Sequence, residues 1–377
     1  MSHLSAEFFA CLAAIGDEAA TPKALLRWGE RWSADVVRAA VEQRQLRQRA
    51  AARFDFAHEW LWDADTMQMA THPRLARYHA SKFLVGEPVV DLTAGAGVDL
   101  RAIAQRGRSV GVELDPARAE RLAANFAGSA VEVICGDGLE VAASQPGVSL
   151  FADPARRSGG KRAARLEDGL PNPRLVAELA AGRPRLVMKL WPGADVDDVL
   201  ALGATAVEVV SYRHECREVL ALFGAASEPG VWAVCLSEDS ELRLQREGAL
   251  AVASPALGWI GQLDVAAARL GLAGQLGFQS LWATRTYVTS AEPVPSAWVR
   301  SSFRVLNDAP FDRKSLRAWV RESGRLVDAV KIAGGLEIRP EDVEKTMNQG
   351  LRGPRHLVLL IYPADTGVRC AVCELST

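Results

Sequence analysis

Short β-rich runs alternate with helical stretches from Pro88 onwards, and this alternation narrows the possible folds more than any other feature. Strands separated by helices form a parallel sheet with crossover helices. The sequence therefore predicts an α/β domain over residues 86–237. Its first five strand candidates are Val89–Leu92, Ser109–Leu114, Val131–Cys135, Val148–Ala152 and Leu186–Leu190.

Three further strand candidates end this domain, and the connections between the last two are short. They are Ala206–Ser211, Val219–Phe223 and Val231–Leu236. Because a parallel pair needs a long crossover, short connections indicate antiparallel hairpins at the edge of the sheet.

The flanking segments have different textures. Residues 1–85 show apolar positions three and four apart, which is typical of a helical lobe. Residues 238–295 are mixed in composition, and we read them as a connector without an assigned structure. Residues 296–377 predict a small α+β domain of order β-α-β-α-β-β. Its elements are Phe303–Leu306, Asp312–Ser323 with Asp312 as N-cap, Val327–Ile332, Pro340–Asn348, His356–Tyr362 and Val368–Leu375.

The charge of the chain is nearly balanced but unevenly spread. Its 377 residues include 44 Lys+Arg and 46 Asp+Glu, a formal charge of −2, which excludes a general attraction to polyanions. Residues 153–190 nevertheless carry a net +5, residues 191–295 a net −7 and residues 296–377 a net +3. A basic surface, where one exists, is therefore local.

The cysteines and the apolar runs indicate a cytosolic chain. No apolar run approaches the roughly 20 residues that span a bilayer. Six cysteines are dispersed, and the start of the chain lacks a signal-peptide pattern, so we expect reduced thiols. The one close pair, Cys370 and Cys373, falls on a predicted strand that points the two sulfurs to opposite faces. We therefore expect no metal site.

The segment Val89–Leu100 carries the strongest local signal. A strand ends in an acidic residue, a turn holds two glycines one residue apart, and a helix begins, so that the backbone can approach a ligand closely. An acid at the tip of the second strand suits the two ribose hydroxyls, and an Asp after the third suits an adenine amino group. The third glycine of the dinucleotide motif is missing, which argues against NAD. The candidate cofactor-binding residues are Asp91, Thr93, Gly95, Gly97, Asp99, Glu113 and Asp137.

The fourth strand ends in Asp153-Pro154-Ala155-Arg156-Arg157, next to the predicted cofactor turn. A carboxylate and a backbone carbonyl at such a tip can both accept hydrogen bonds from one amine. We expect Asp153 and Pro154 to orient a substrate amine in this way. We expect Arg156 to stack on a base through its planar guanidinium.

A basic, glycine-containing loop follows this tip. Arg157, Lys161 and Arg162 are the candidate substrate-binding residues, because their charge suits a phosphate-bearing substrate. A solvated charged face explains such a run equally well.

Thr71 and His79 lie upstream, near a predicted helix. We read Thr71 as an N-cap and His79 as a packed core histidine, in preference to catalytic residues. The alternative is that this segment lines the cofactor pocket.

These motifs resemble the class I S-adenosylmethionine-dependent methyltransferases, over residues 88–236. The resemblance implies a Rossmann-like sheet, S-adenosylmethionine as cofactor, and roles in binding it for Asp91, Gly95, Gly97, Glu113 and Asp137. Taken end to end, the chain resembles a bacterial family of predicted methyltransferases with a THUMP-like C-terminal domain, whose core is loosely similar to the RNA guanine-N2 methyltransferases. The C-terminal matches are Phe303-Arg304-Val305-Leu306, Pro310-Phe311-Asp312, Leu316-Arg317-Ala318-Trp319 and Leu351-Arg352-Gly353.

Two departures from related families matter. The nitrogen methyltransferases carry Asp/Asn-Pro-Pro-aromatic, whereas here Ala155 replaces the second Pro and Arg156 the aromatic residue. The RNA uracil C5-methyltransferases need a cysteine nucleophile after the fifth strand. This chain has Lys189-Leu190-Trp191-Pro192-Gly193 there, which argues against C5 chemistry.

The sequence therefore predicts a cytoplasmic S-adenosylmethionine-dependent methyltransferase that modifies a base nitrogen in tRNA or rRNA, without a membrane partner. The alternatives are a methyltransferase acting on a small molecule or a protein, and an RNA-binding protein that retains the cofactor pocket without turnover.

Overall fold

The computed structural model describes residues 4–155, 157–158, 161–162, 166–224, 227–248, 251–282, 284–294, 296–333 and 335–375. The chain divides into two compact units. The first comprises residues 1–207 and 219–229, and the second residues 208–218 and 230–377.

Five helices open the first unit, as the helical periodicity predicts. Ser5, Thr21, Ser33 and Asp63 cap the first four, each accepting a hydrogen bond from an amide in the first turn. Apolar faces of the first three helices form one cluster around Cys11, which is fully buried. The helices are α1 (Ala6–Ile15), α2 (Pro22–Gly29), α3 (Ala34–Ala50), α4 (Ala64–Met69) and α5 (Pro73–Ala80).

A mostly parallel sheet follows in the same unit. Its strands are β1 (Val89–Asp91), β2 (Ser109–Glu113), β3 (Glu132–Cys135), β4 (Ser149–Ala152), β7 (Leu186–Leu190), the start of β8 (Ala206–Tyr212) and the end of β9 (Glu215–Phe223). The strand order is β3–β2–β1–β4–β7–β9–β8. The first five strands pair in parallel, and β9 runs antiparallel to β7. This is the alternation and the hairpin edge that the sequence predicts.

Crossover helices follow the parallel strands in the chain, one after each strand. They are α6 (Val98–Ala104), α7 (Pro116–Asn125), α8 (Gly138–Ser144), α9 (Pro173–Glu178) and α10 (Val196–Ala201). Strands β1 and β4 are buried along their whole length, which is typical of a parallel sheet covered on both faces. Loops at the carboxyl edge therefore carry the polar groups of the site.

Two short strands follow the Asp-Pro tip of β4. Strands β5 (Arg157–Ser158) and β6 (Lys161–Arg162) pair antiparallel, and a 3-10 turn covers Leu166–Asp168. Ala155 makes a two-way backbone bridge with Leu170.

The second unit contains the remaining strands and helices. An eight-stranded sheet has the order β12–β14–β15–β13–β16–β19–β18–β17, and β10 pairs antiparallel with β11. The elements are β10 (Gly230–Leu236), β11 (Glu241–Gln245), β12 (Ala253–Ser254), β13 (Trp259–Leu263), α11 (Val265–Arg269), β14 (Gln279–Leu281), β15 (Tyr287–Ser290), β16 (Val299–Pro310), α12 (Arg313–Ser323), β17 (Leu326–Ile332), α13 (Pro340–Asn348), β18 (Arg355–Ala364) and β19 (Gly367–Leu375).

The C-terminal order β-α-β-α-β-β is confirmed, and so is Asp312 as the N-cap of α12. Cys370 and Cys373 lie in two different core clusters and are both buried free thiols. The period of two along β19 therefore separates the sulfurs, as predicted.

The structure adds to two expectations. Residues 238–295, to which the sequence assigned no structure, contain five strands and one helix among their described residues, and these strands join the sheets of the second unit. Strand β16 is also longer than the predicted Phe303–Leu306, since its pairing with β19 continues past a register shift to Pro310. The mixed composition of residues 238–295 gave no clear alternating pattern, so the sequence did not predict the strands there.

Among the described residues, no helix has the length and apolar character needed to cross a membrane.

Candidate active site

The turn between β1 and α6 brings main chain close to the carboxyl edge of the sheet. Gly95 and Gly97 both have positive φ, 53° and 87°, which suits glycine. A Cβ at Gly97 would lie 2.6 Å from Cδ1 of Leu122. The sequence around this turn therefore needs glycine for both conformation and space.

Glu113 is fixed at the tip of β2 by two backbone amides. Its Oε2 accepts a hydrogen bond from the Gly95 N–H at 3.1 Å, and its Oε1 accepts one from the Asp115 N–H at 2.9 Å. The carboxylate is half-buried beside the glycine turn. The predicted ribose ligand and the predicted turn are thus in direct contact.

Asp137 follows β3 and caps α8. Its Oδ1 accepts a hydrogen bond from the Leu139 N–H at 2.7 Å, and the residue is exposed. The next residue, Gly138, packs so tightly that a Cβ would lie 2.3 Å from the carbonyl oxygen of Leu92. Asp137 is therefore held at the same edge as Glu113.

Asp91 ends β1 and is almost completely buried. Its Oδ1 accepts a hydrogen bond from the Thr93 N–H at 3.0 Å, whereas its Oδ2 has no hydrogen-bond partner among the described residues. Burial and then the charge of Asp99 raise the pKa of Asp91 well above its usual range. A buried acceptor without a donor suits a cationic ligand group.

Asp153 lies just past β4 and is held from two sides. Its backbone N–H donates to Oγ1 of Thr93 at 2.7 Å, and its Oδ2 accepts from Nζ of Lys189 at 2.5 Å. Lys189 is on β7, the neighbouring parallel strand, near its carboxyl end. Asp153 is half-buried and Pro154 is buried, so the predicted acceptor-orienting tip is rigidly supported.

A buried polar chain continues from Lys189 into the N-terminal helices. Lys189 Nζ also donates to Oγ1 of Thr71 at 3.2 Å, and Thr71 donates to Oδ2 of Asp99 at 2.6 Å. Nδ1 of His79 lies 2.7 Å from Oδ1 of Asp99. The carboxylate of Asp99, predicted to bind the cofactor, is thus bonded to two protein groups.

The charge state of Asp99 follows from these contacts. Burial alone would raise the pKa of this carboxyl, but the charge and hydrogen bond of His79, the charge of Lys189 and the hydroxyl of Thr71 lower it below its usual value. Asp99 is therefore ionised inside the protein.

The structure corrects the interpretation of Thr71 and supports that of His79. The N-cap of α5 is His72, whose ring accepts from the Arg74 N–H, while Thr71 bonds to Asp99 instead. His79 is fully buried and stacks on Phe151 of β4 at a centroid distance of 5.5 Å. It is a packed histidine that joins the helices to the sheet.

The basic loop is only partly described. Arg156 lies outside the described residues. Arg157, Lys161 and Arg162 are in β5 and β6, which fixes their backbone pairing alone. Their roles toward the substrate stay predictions.

Sequence reasoning missed Lys189 as a member of the site, and it named Thr71 only within a segment whose alternative role was to line the cofactor pocket. β4 and β7 are parallel neighbours, so their carboxyl ends lie side by side. A lysine in the last two residues of β7 was therefore the available signal for a contact with the β4 tip. Thr71 gave no comparable signal, since it comes from a different layer of the fold.

The chain is 30% identical over 354 residues to uncharacterized S-adenosylmethionine-dependent methyltransferases from Mycobacterium tuberculosis strains CDC 1551 and H37Rv, covering 89% of this chain and 96% of theirs. A crystal structure described as that of a methyltransferase from Porphyromonas gingivalis W83 superposes with a TM-score of 0.83 at 17% identity, covering all of both chains. No family model matches.

The structural likeness establishes the fold, and the sequence relatives establish the family. The Rossmann-like methyltransferase sheet, extended by further strands and helices, matches the first prediction from the sequence. The unpartnered Asp91 oxygen and the Glu113-bound glycine turn fit S-adenosylmethionine as cofactor. The chain therefore belongs to the S-adenosylmethionine-dependent methyltransferases.

Proposed function

We propose that this methyltransferase acts on RNA, at a base nitrogen, with Asp153 and the Pro154 carbonyl orienting the acceptor. The observation that carries the proposal is the support of Asp153, which Thr93 holds through its backbone and Lys189 through its side chain. A half-buried carboxylate fixed at the β4 tip suits an amine that must present its lone pair in one direction.

The chain's own residues act by positioning. The Asp153 carboxylate and the Pro154 carbonyl accept hydrogen bonds from the acceptor N–H groups, and Lys189 holds the carboxylate in that orientation. S-adenosylmethionine supplies an electrophilic methyl group on its sulfonium. Holding the nucleophile in line with the methyl group lowers the activation barrier. The reason is that folding and binding have already restricted motions that free reactants would lose in the transition state.

The cofactor would be held at the glycine turn. Asp91 offers its unpartnered Oδ2 to a cationic group, Gly95 and Gly97 allow close approach of the main chain, and Glu113 and Asp137 offer carboxylates for the ribose and the adenine amino group. Thr93 and Asp99 support this set indirectly, through Asp153 and through the Thr71–His79 contacts.

The RNA part of the proposal is supported by charge. Residues 153–190, which include the β4 tip and the following loop, carry nine basic and four acidic residues. Phosphate-rich substrates favour such local positive charge. Arg156 would stack on a base, and Arg157, Lys161 and Arg162 would contact the backbone of the RNA.

The domain interpretation belongs to the same proposal. Residues 1–85 would form a helical lobe, 86–237 the methyltransferase domain, 238–295 the link and 296–377 a THUMP-like domain that handles structured RNA. The proposal places the enzyme in the cytoplasm. The net charge of +3 in residues 296–377 is compatible with that role.

The test is transfer of labelled methyl from S-adenosylmethionine to total RNA, protein and small molecules from cells that lack the gene. We expect label in RNA that is sensitive to ribonuclease, and about 100-fold slower labelling with Asp153→Asn. Ribonuclease-resistant label would instead favour a protein or small-molecule substrate. Cofactor binding with no transfer to any pool would favour the non-catalytic alternative, and either result would overturn the proposal.

A further inference from the structure

The second unit contains a polar cluster that the methyltransferase site does not use. Three residues from separate segments meet there: His214 in the turn between β8 and β9, Cys235 on β10, and Asp264 immediately before α11. Nδ1 of His214 lies 3.0 Å from Oδ2 of Asp264 and 3.7 Å from Sγ of Cys235. One donor atom from each residue lies within 4.8 Å of the other two.

The turn that carries His214 has an uncommon sequence. Its two central residues, Arg213 and His214, both have positive φ, 53° and 63°, an arrangement that hairpins usually build from Asn and Gly. The Arg213 N–H donates to the Leu236 carbonyl at 2.9 Å, which ties the turn to the end of β10. The backbone of this turn thus holds the His214 imidazole next to Cys235 and Asp264.

The cluster does not have the geometry of a cysteine nucleophile with its base. In such an arrangement the thiol and the carboxylate contact different nitrogens of the histidine ring. Here Cys235 and Asp264 both approach Nδ1. Convergence of a nitrogen, a sulfur and an oxygen on one point is instead typical of ligands to a shared cation.

Two of the three separations are close to those around a tetrahedral zinc-class ion. Zn–N and Zn–O bonds of about 2.0–2.1 Å and a Zn–S bond of about 2.3 Å place neighbouring ligand atoms about 3.3–3.6 Å apart. The His214–Asp264 separation of 3.0 Å and the His214–Cys235 separation of 3.7 Å bracket that range, and all three donor atoms lie within 4.8 Å of one another.

The surroundings of Asp264 supply the outer contacts that metal ligands need. Its Oδ1 accepts from the Ala266 N–H at 2.8 Å, and its Oδ2 accepts from Oγ of Ser211 at 2.7 Å. Asp264 is fully buried, and these two hydrogen bonds fix the orientation of its carboxylate.

Cys235 completes the set. Its thiol is buried next to His214. A divalent cation would form a metal–thiolate bond there, with the thiol proton released to solvent. The side chain of His214 is 26% exposed, which leaves a route for the ion.

We propose that His214, Cys235 and Asp264 form a binding site for a zinc-class divalent cation, with a fourth position open to water. The three residues are 21 and 29 positions apart in sequence, unlike the short spacings of familiar zinc motifs, so sequence reasoning did not predict a metal.

The test is Co²⁺ titration of the full-length, chelator-treated protein made without a polyhistidine tag. A thiolate-to-cobalt charge-transfer absorption should develop to one equivalent and disappear when Zn²⁺ is added. Cys235→Ser should abolish it, and His214→Gln should weaken Co²⁺ binding at least tenfold. Cys216→Ser is the matched control, since Cys216 lies in the same hairpin but outside the cluster, and it should leave the absorption unchanged.

Asp264→Asn should also weaken binding, and circular dichroism would show whether that buried variant still folds. If it does not fold, the partly exposed His214 keeps the test decisive. An absence of the absorption in the wild-type protein at tenfold excess of Co²⁺ would overturn the proposal, as would its persistence in Cys235→Ser.

Discussion

Nζ of Lys189 lies 2.5 Å from Oδ2 of Asp153, so a cation from β7 holds the carboxylate at the tip of β4. The two residues are 36 positions apart and meet because their strands are parallel neighbours. This contact fixes the direction of the carboxylate that we assign to the acceptor.

Replacing Asp153 should stop chemistry without loss of cofactor. Asp153→Asn keeps the shape but exchanges one acceptor oxygen for a donor, so we expect methyl transfer to fall about 100-fold. S-adenosylmethionine affinity by calorimetry should stay within twofold. Asp17→Asn, an exposed residue of the same unit, is the control and should change neither quantity.

Replacing Lys189 should displace the Asp153 carboxylate without removing it. Lys189→Met keeps length and removes the ammonium group, and a carboxylate displaced by a fraction of an ångström should cost about tenfold in kcat. Lys189→Arg should recover part of the loss because it restores a donor. An unchanged kcat in Lys189→Met would show that Thr93 alone positions the tip.

Asp91 should destabilise the folded protein at neutral pH and strengthen cofactor binding. Because its pKa is raised in the folded protein, its contribution opposes folding increasingly as pH rises from about 4 toward that folded pKa. Asp91→Asn should therefore raise the free energy of unfolding at pH 7. The same change should weaken S-adenosylmethionine binding about tenfold, measured by calorimetry, and tighter binding would contradict the assignment.

Asp99 should show the opposite pH dependence. Its pKa is lowered in the folded protein, so its stabilisation is present above about pH 4 and is lost as pH falls through the folded value. Asp99→Asn leaves His79 and Thr71 with a poorer acceptor and should cost about 1–3 kcal/mol at pH 7. Urea unfolding should show this difference shrink as pH falls below about 4.

Gly97 offers a test of packing at the turn. Gly97→Ala places a Cβ against Leu122 and Phe126 at positive φ, whereas Gly147→Ala has a similar φ of 80° with open space around it. Both substitutions place alanine at a positive φ, and both variants lose stability for that reason. The difference in stability between them therefore measures the clash at Gly97. We expect Gly97→Ala to be less stable than Gly147→Ala by about 1–3 kcal/mol in denaturant unfolding.

The sequence predicted the parts of this protein whose signals are local. Strand-ending acids and glycine turns are written in consecutive residues, which is why β1, β2 and β4 and the capping role of Asp312 agree with the structure. Lys189, Thr71 and the strands within residues 238–295 depend on pairing between distant segments. A single sequence carries no direct record of such contacts, so their roles emerged only from the fold.

The central claim is that Asp153 directs methyl transfer to a base nitrogen in RNA. The most direct measurement is mass spectrometry of nucleosides from RNA of cells lacking the gene, after incubation with S-adenosylmethionine and either the wild-type protein or Asp153→Asn. We predict one N-methylated nucleoside that increases with the wild-type protein and at least 100-fold more slowly with the variant. A carbon- or ribose-methylated product, or equal yields from both proteins, would contradict the claim.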